Sequence, residues 1–101
     1  MSDNETTGRE SLFDARTSFL LDEVGKELTH ARARFHSFNS PHEGWAVVKE
    51  ELDELWDDVK ANEGHGSHAY KEAIQVAAMA LRYAYDLSGV AQVHDSVSVN
   101  Q

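Results

Sequence analysis

The sequence predicts an all-α fold: a helical bundle of three main helices per chain, completed by oligomerisation. Three observations carry that reading. Proline occurs once, at Pro41, and glycine only six times in 101 residues. Apolar residues recur at steps of three and four, the period of an α-helix, while strand-like alternation is almost absent. A chain of this length forms one domain at most and buries a limited core, which is why self-assembly belongs to the expectation.

The elements follow in order. Residues 1–10, with Asp3, Asn4, Thr6, Thr7 and Gly8, lack periodicity and read as an N-terminal tail. The helical domain is expected over 11–88. Its first helix should run from about Ser11 to His36, with Phe13, Leu20, Val24, Leu28, Ala31, Phe35 and Phe38 near heptad spacing. Ser37 to Ser40 is a connection, and a complete start signal follows. Ser40 suits an N-cap, Pro41 the first helical position, and Glu43 stands three residues after the cap as in a capping box. Helix two then runs to about Asn62, with Trp45, Val48, Leu52, Leu55 and Val59 as its packing stripe. Glu63 to Ser67 holds Gly64 and Gly66 and is a loop of ordinary length between antiparallel helices. Helix three should occupy roughly His68 to Leu87, stopped by Gly89. Residues 89–101 read as a C-terminal tail.

Helix three is the most apolar element. Ala73 to Leu81 contains a single polar residue, Gln75, in nine. The small residues Ala73, Ala77, Ala80 and Ala84 would let a partner helix approach closely, and a packing seam is the better reading for them. Three helices leave that surface hard to cover, which argues for a homodimer or homotetramer.

Charge narrows the function classes. Asp and Glu number 18 against nine Lys and Arg, for a net charge of −9. Nucleic-acid affinity comes from neutralising phosphates with cations, so no nucleic-acid partner is expected. With no cysteine there is no disulfide framework, thiolate metal site or cysteine nucleophile. No apolar stretch approaches the ~20 residues that span a bilayer, and Met1 to Glu10 is polar rather than a signal sequence. A cytoplasmic protein without a membrane partner is expected. If it handles phosphates, a cation must act as intermediary.

The acid excess is concentrated in one helix. Glu43, Glu50, Glu51, Asp53, Glu54, Asp57, Asp58 and Glu63 fall between His42 and Glu63, opposed only by Lys49 and Lys60. At 100° per residue, Glu51, Glu54 and Asp58 share a stripe bordering the packing face. Like charges at these spacings cost a helix a few tenths of a kcal/mol per pair. Two explanations compete: a solvated acidic face that gives solubility, or a hard divalent cation held by oxygen ligands, Mg²⁺ or Mn²⁺. On helix three, Glu72, Gln75, Met79 and Asp86 fall on one side. Glu72 and Gln75 stand three apart, as Glu51 and Glu54 do. If helices two and three pack antiparallel, one cation would serve both pairs; an interhelical hydrogen bond is the other explanation for Gln75.

The segments SPHEGWAVVKEELDELWDDVK (40–60) and KEAIQVAAMALRYAYDL (71–87) resemble the all-α nucleoside triphosphate pyrophosphohydrolases, the MazG-like and dimeric dUTPase-like superfamily. Its pattern is EExxE on one helix and ExxD on the next. Glu50, Glu51 and Glu54 match the first motif and Glu72 the second, whose aspartate position is Gln75 here. The resemblance covers about half the chain. It implies Mg²⁺, or Mn²⁺, on Glu51, Glu54 and Glu72, with Gln75 able to coordinate through its amide oxygen at the loss of one charge. It also implies Glu50 as the group that orients or deprotonates water, with cleavage between the α and β phosphates. The substrate would be a nucleoside triphosphate and the products a nucleoside monophosphate and pyrophosphate. The alternative is a non-catalytic helical interaction or regulatory module that keeps the fold with a degenerate metal site.

Other candidates are weaker. Trp45 fits the packing stripe better than a base-stacking role, and Trp56 suits either. Arg32, Arg34, Lys71 and Arg82 could contact phosphates but better suit solvated helix faces, and His65 and His68 form an HxxH in a Gly-rich loop that is more often incidental than a metal site. No Gly-rich phosphate loop, dinucleotide fingerprint or serine triad spacing is present.

Overall fold

The structure, a computed structural model, describes residues 14–61 and 65–88. Within them the chain forms three helices and no strand: α1 (Ala15–Arg34), α2 (Pro41–Lys60) and α3 (Ser67–Leu87). The expected tails at 1–10 and 89–101, the proposed start at Ser11 and the stop at Gly89 lie outside the described residues. None of the three helices is long and apolar enough to cross a membrane.

Local chemistry sets the ends. Asp14 has extended backbone, and its carboxylate accepts the Thr17 N–H at 2.9 Å, so α1 begins at Ala15. It ends at Arg34 rather than His36, because Phe35 is extended and leaves the helical stripe half-exposed to solvent. The expected start of α2 is present: Ser40 Oγ accepts from Glu43 N at 3.1 Å and Pro41 opens the helix. The Glu43 carboxylate reaches back one residue further than in a capping box, to the Asn39 N–H at 2.6 Å.

The central element is α3. Both α1 and α2 pack on it, and they make no close contact with each other. The pairs Glu27–Gln75 and Arg32–Tyr85 run in the same direction along α1 and α3, so those helices are parallel. Asp58 meets His68 while Gly44 meets Tyr83 and Leu87, so α2 is antiparallel to α3. A core of Val24, Ala31, Ala78 and Met79 sits at the junction, with Val47, Val48, Ile74 and Ala77 packed against it.

Gly44 shows how tightly α2 and α3 approach. A Cβ there would lie 2.6 Å from the Tyr83 ring and 3.0 Å from a Leu87 methyl. That contact also fixes the rotation of α2. Gly44, Val48, Glu51, Leu55 and Asp58 face α3, and the stripe Trp45, Leu52, Trp56 and Val59 is turned about 90° away from it. The expectation of Trp45, Leu52 and Val59 as core is corrected accordingly, since Trp45 is 58% exposed and the other two are also exposed. On α3, Ala73, Ala80, Leu81 and Ala84 are likewise open to solvent, and only Ala77 of the small-residue stripe joins the core.

Candidate metal centre

Two antiparallel helices bring together what the sequence separates by about twenty positions. Glu51 and Glu54, three apart on α2, share one side, and Glu72 projects toward them from the first turns of α3. One carboxylate oxygen from each of the three lies within 4.8 Å of the others. Glu54 is exposed and Glu51 and Glu72 are half-buried, so the group sits at the edge of the packing seam. Glu50, in the same turn, is exposed and lines the cleft beside the group.

The electrostatics are those of like charges held together. Burial first, and then Glu54, Glu72 and Glu50, push the Glu51 carboxyl from 4.5 up to about 7, with a hydrogen bond to Glu54 adding to the rise. Glu72 is also raised, by burial and then by Glu54 and Asp58, against an opposing pull from His68. Glu72 Oε2 is sealed from solvent and has no hydrogen-bond partner among the described residues. A buried unpaired carboxylate oxygen costs of order 1–3 kcal/mol or more. These donors fit a divalent cation: three convergent carboxylates, all oxygen, one of them orphaned.

Beside the carboxylates lies a cleft of about 470 Å³. Its walls are α1 and α2 and its floor is the Gln75–Met79–Arg82 face of α3. Glu27, Glu50 and Glu51 lie at one end. Arg34, Phe35, His36 and Phe38 lie toward the other. Gln75 is placed in this cleft, where its Nε2 donates to Glu27 Oε2 at 2.7 Å. The interhelical hydrogen bond is therefore made. Because a carboxylate only accepts, the bond also fixes which way the amide points.

Several partners were not readable from sequence. Nothing in the local sequence marks Glu27 as the partner of Gln75. Arg82, expected on a solvated face, is only 6% exposed. It donates to the His36 carbonyl at 2.9 Å and stacks 4.0 Å above the Phe38 ring. Asp86 accepts the Phe38 N–H at 3.0 Å and completes this clamp on the α1–α2 connection. Its place on the inner side of α3 with Glu72, Gln75 and Met79 was the available signal. Arg32 stacks on Tyr85 at 3.6 Å.

No protein-family model, curated protein or solved structure significantly matches this chain.

Proposed function

We propose that the chain is a MazG-like nucleoside triphosphate pyrophosphohydrolase, dependent on Mg²⁺ or Mn²⁺, that cleaves between the α and β phosphates. The observation that carries this is the convergence of Glu51, Glu54 and Glu72, one oxygen of Glu72 being buried without a partner, beside a cleft that Glu51 lines. The cleft volume falls in the ~300–1,000 Å³ range of small-molecule sites.

Glu51, Glu54 and Glu72 would hold the cation, and the amide oxygen of Gln75 is the further donor, oriented by Glu27. When bound, the cation supplies the positive charge that draws in the triphosphate and offsets charge developing on it. Glu50, exposed on the cleft side of α2, orients water and accepts its proton. The water oxygen bonds to the α-phosphorus as the bridging P–O bond breaks, and the electron pair leaves with pyrophosphate. The guanidinium of Arg34 lines the cleft and offers donors to the anionic substrate. The cation reconciles a net charge of −9 with an anionic substrate.

The exposed Trp45–Leu52–Trp56–Val59 stripe and the alanine face of α3 support assembly as a homodimer or homotetramer, since single chains rarely leave so much contiguous apolar surface open. A cytoplasmic setting, where nucleoside triphosphates are available, goes with this reading. A second reading rests on Gln75: with one carboxylate replaced by an amide engaged with Glu27, the chain is a non-catalytic oligomeric module with a degenerate metal site.

Purified protein incubated with a panel of canonical and modified nucleoside triphosphates plus Mg²⁺ or Mn²⁺ separates the two. Pyrophosphate release that falls at least 100-fold in Glu51→Gln supports the enzyme. No release above that variant with any substrate overturns it in favour of the module.

A further inference from the structure

A second group of metal-ligating side chains lies on the other flank of Glu72. Asp58 on α2 and His68 on α3 place one donor each within 4.8 Å of a Glu72 oxygen and of each other. His68 and Glu72 stand four apart on α3 and so share a face. Asp58 is brought opposite by the antiparallel packing. The imidazole Nδ1 lies 3.0 Å from both Asp58 carboxylate oxygens.

An ion pair between His68 and Asp58 accounts for that distance, but not for Glu72. Its Oε2 is still buried without a hydrogen-bond partner, although Asp58 and His68 are its neighbours. One cation between the three would give each of them a partner, with the Glu72 donor starting within 4.8 Å of the other two. Two donors each ~2.1 Å from a shared ion lie about 3.0 to 3.4 Å apart at right or tetrahedral angles. The Asp58–His68 spacing already falls there.

The donor set also differs in kind from the first centre. Glu51, Glu54 and Glu72 offer oxygen alone and suit Mg²⁺, whereas an imidazole nitrogen with two carboxylates favours a borderline first-row cation. The geometry points to Asp58, His68 and Glu72 as a second, imidazole-containing site for Zn²⁺ or a similar first-row divalent ion, with Glu72 bridging it to the carboxylate centre. This site does not depend on the chain being a hydrolase. A coordinated imidazole would tie the start of α3, where no side chain caps the helix, to the last turn of α2.

The test is a calorimetric titration of Zn²⁺ into the untagged full chain at pH 7.5, with millimolar Mg²⁺ present to occupy the carboxylate centre. Wild type should take up one Zn²⁺, at least tenfold more tightly than His68→Ala or Asp58→Asn. His68 lies on the surface, its side chain 74% exposed, so its variant keeps the fold, checked by far-ultraviolet circular dichroism. Glu51→Gln should retain the His68-dependent uptake, even if no nucleotide is hydrolysed by any form of the protein. Uptake unchanged in both His68→Ala and Asp58→Asn would overturn the site, as would uptake abolished instead by His65→Ala.

Discussion

The two ends of α3 handle buried charge in opposite ways. At its C-terminal end, buried Arg82 meets opposite charge: the His36 carbonyl accepts from it, the Phe38 ring lies beneath it, and Asp86 stands 3.9 Å from its Nε, an atom that makes no hydrogen bond among the described residues. At its N-terminal end Glu72 meets Glu51, Glu54 and Asp58, and one of its oxygens has no hydrogen-bond partner. Charges of opposite sign close a loop onto the bundle in the first case. Carboxylates are crowded together in the second, with the His68 imidazole pulling against them at Glu72. The first arrangement offsets its buried charge, and the second holds carboxylates together whose repulsion a bound cation would relieve.

Breaking the C-terminal end should have the largest effect on stability. Arg82→Met keeps the apolar stem but removes the donor to His36 and leaves Asp86 without its cation. A loss of about 3 kcal/mol is expected in chemical denaturation. Gly44→Ala acts at the same end through packing. Alanine is the better helix former by ~1 kcal/mol, yet its Cβ would enter the Tyr83 ring, and overpacking costs ~1–3 kcal/mol. A net loss of about 1 kcal/mol is expected, visible as a melting temperature lower by several degrees.

The acidic end should respond with the opposite sign. Glu72→Gln removes a desolvated like charge and gives the site a donor, so the metal-free protein should melt a few degrees higher than wild type. The same variant should lose the stabilisation that Mg²⁺ gives wild type. A lower melting point in the absence of metal would mean that Glu72 has a partner the structure does not show.

The smallest effect is the pH dependence. Glu51 titrates near 4.5 when unfolded and near 7 when folded, so between those values the folded state binds more protons. The metal-free protein should therefore lose stability as pH rises from about 4.5 through 7. Protons compete with the cation for Glu51, so Mg²⁺ should raise the melting temperature more at pH 7.5 than at pH 5.5. A pH-independent Mg²⁺ effect would place the cation away from Glu51.

Much of this contrast was legible in the sequence, and the part that was not has a physical reason. The three helices followed from periodicity, and the Ser40–Pro41–Glu43 start from capping chemistry, because these are local rules. The pairing of Glu51 and Glu54 with Glu72 was reachable because i, i+3 spacing fixes a helix face and a short loop makes neighbours antiparallel. The rotation of α2 was not reachable. Trp45, Leu52 and Val59 fit an apolar stripe as well as the true seam does, and Gly44 decided between the two faces through a close approach that no periodicity encodes. Arg82, Asp86 and Glu27 were missed for a related reason. Their partners are a backbone carbonyl, a backbone N–H and an amide more than forty residues away, and hydropathy carries no trace of such contacts.

The central claim is that Glu51, Glu54 and Glu72 share one divalent cation, and titration of Mg²⁺ into the metal-free protein at pH 7.5 tests it most directly. The structure predicts saturable uptake in wild type that weakens at least tenfold in each of Glu51→Gln, Glu54→Gln and Glu72→Gln, with helicity unchanged. Absence of uptake in wild type, or uptake indifferent to all three substitutions, would contradict it.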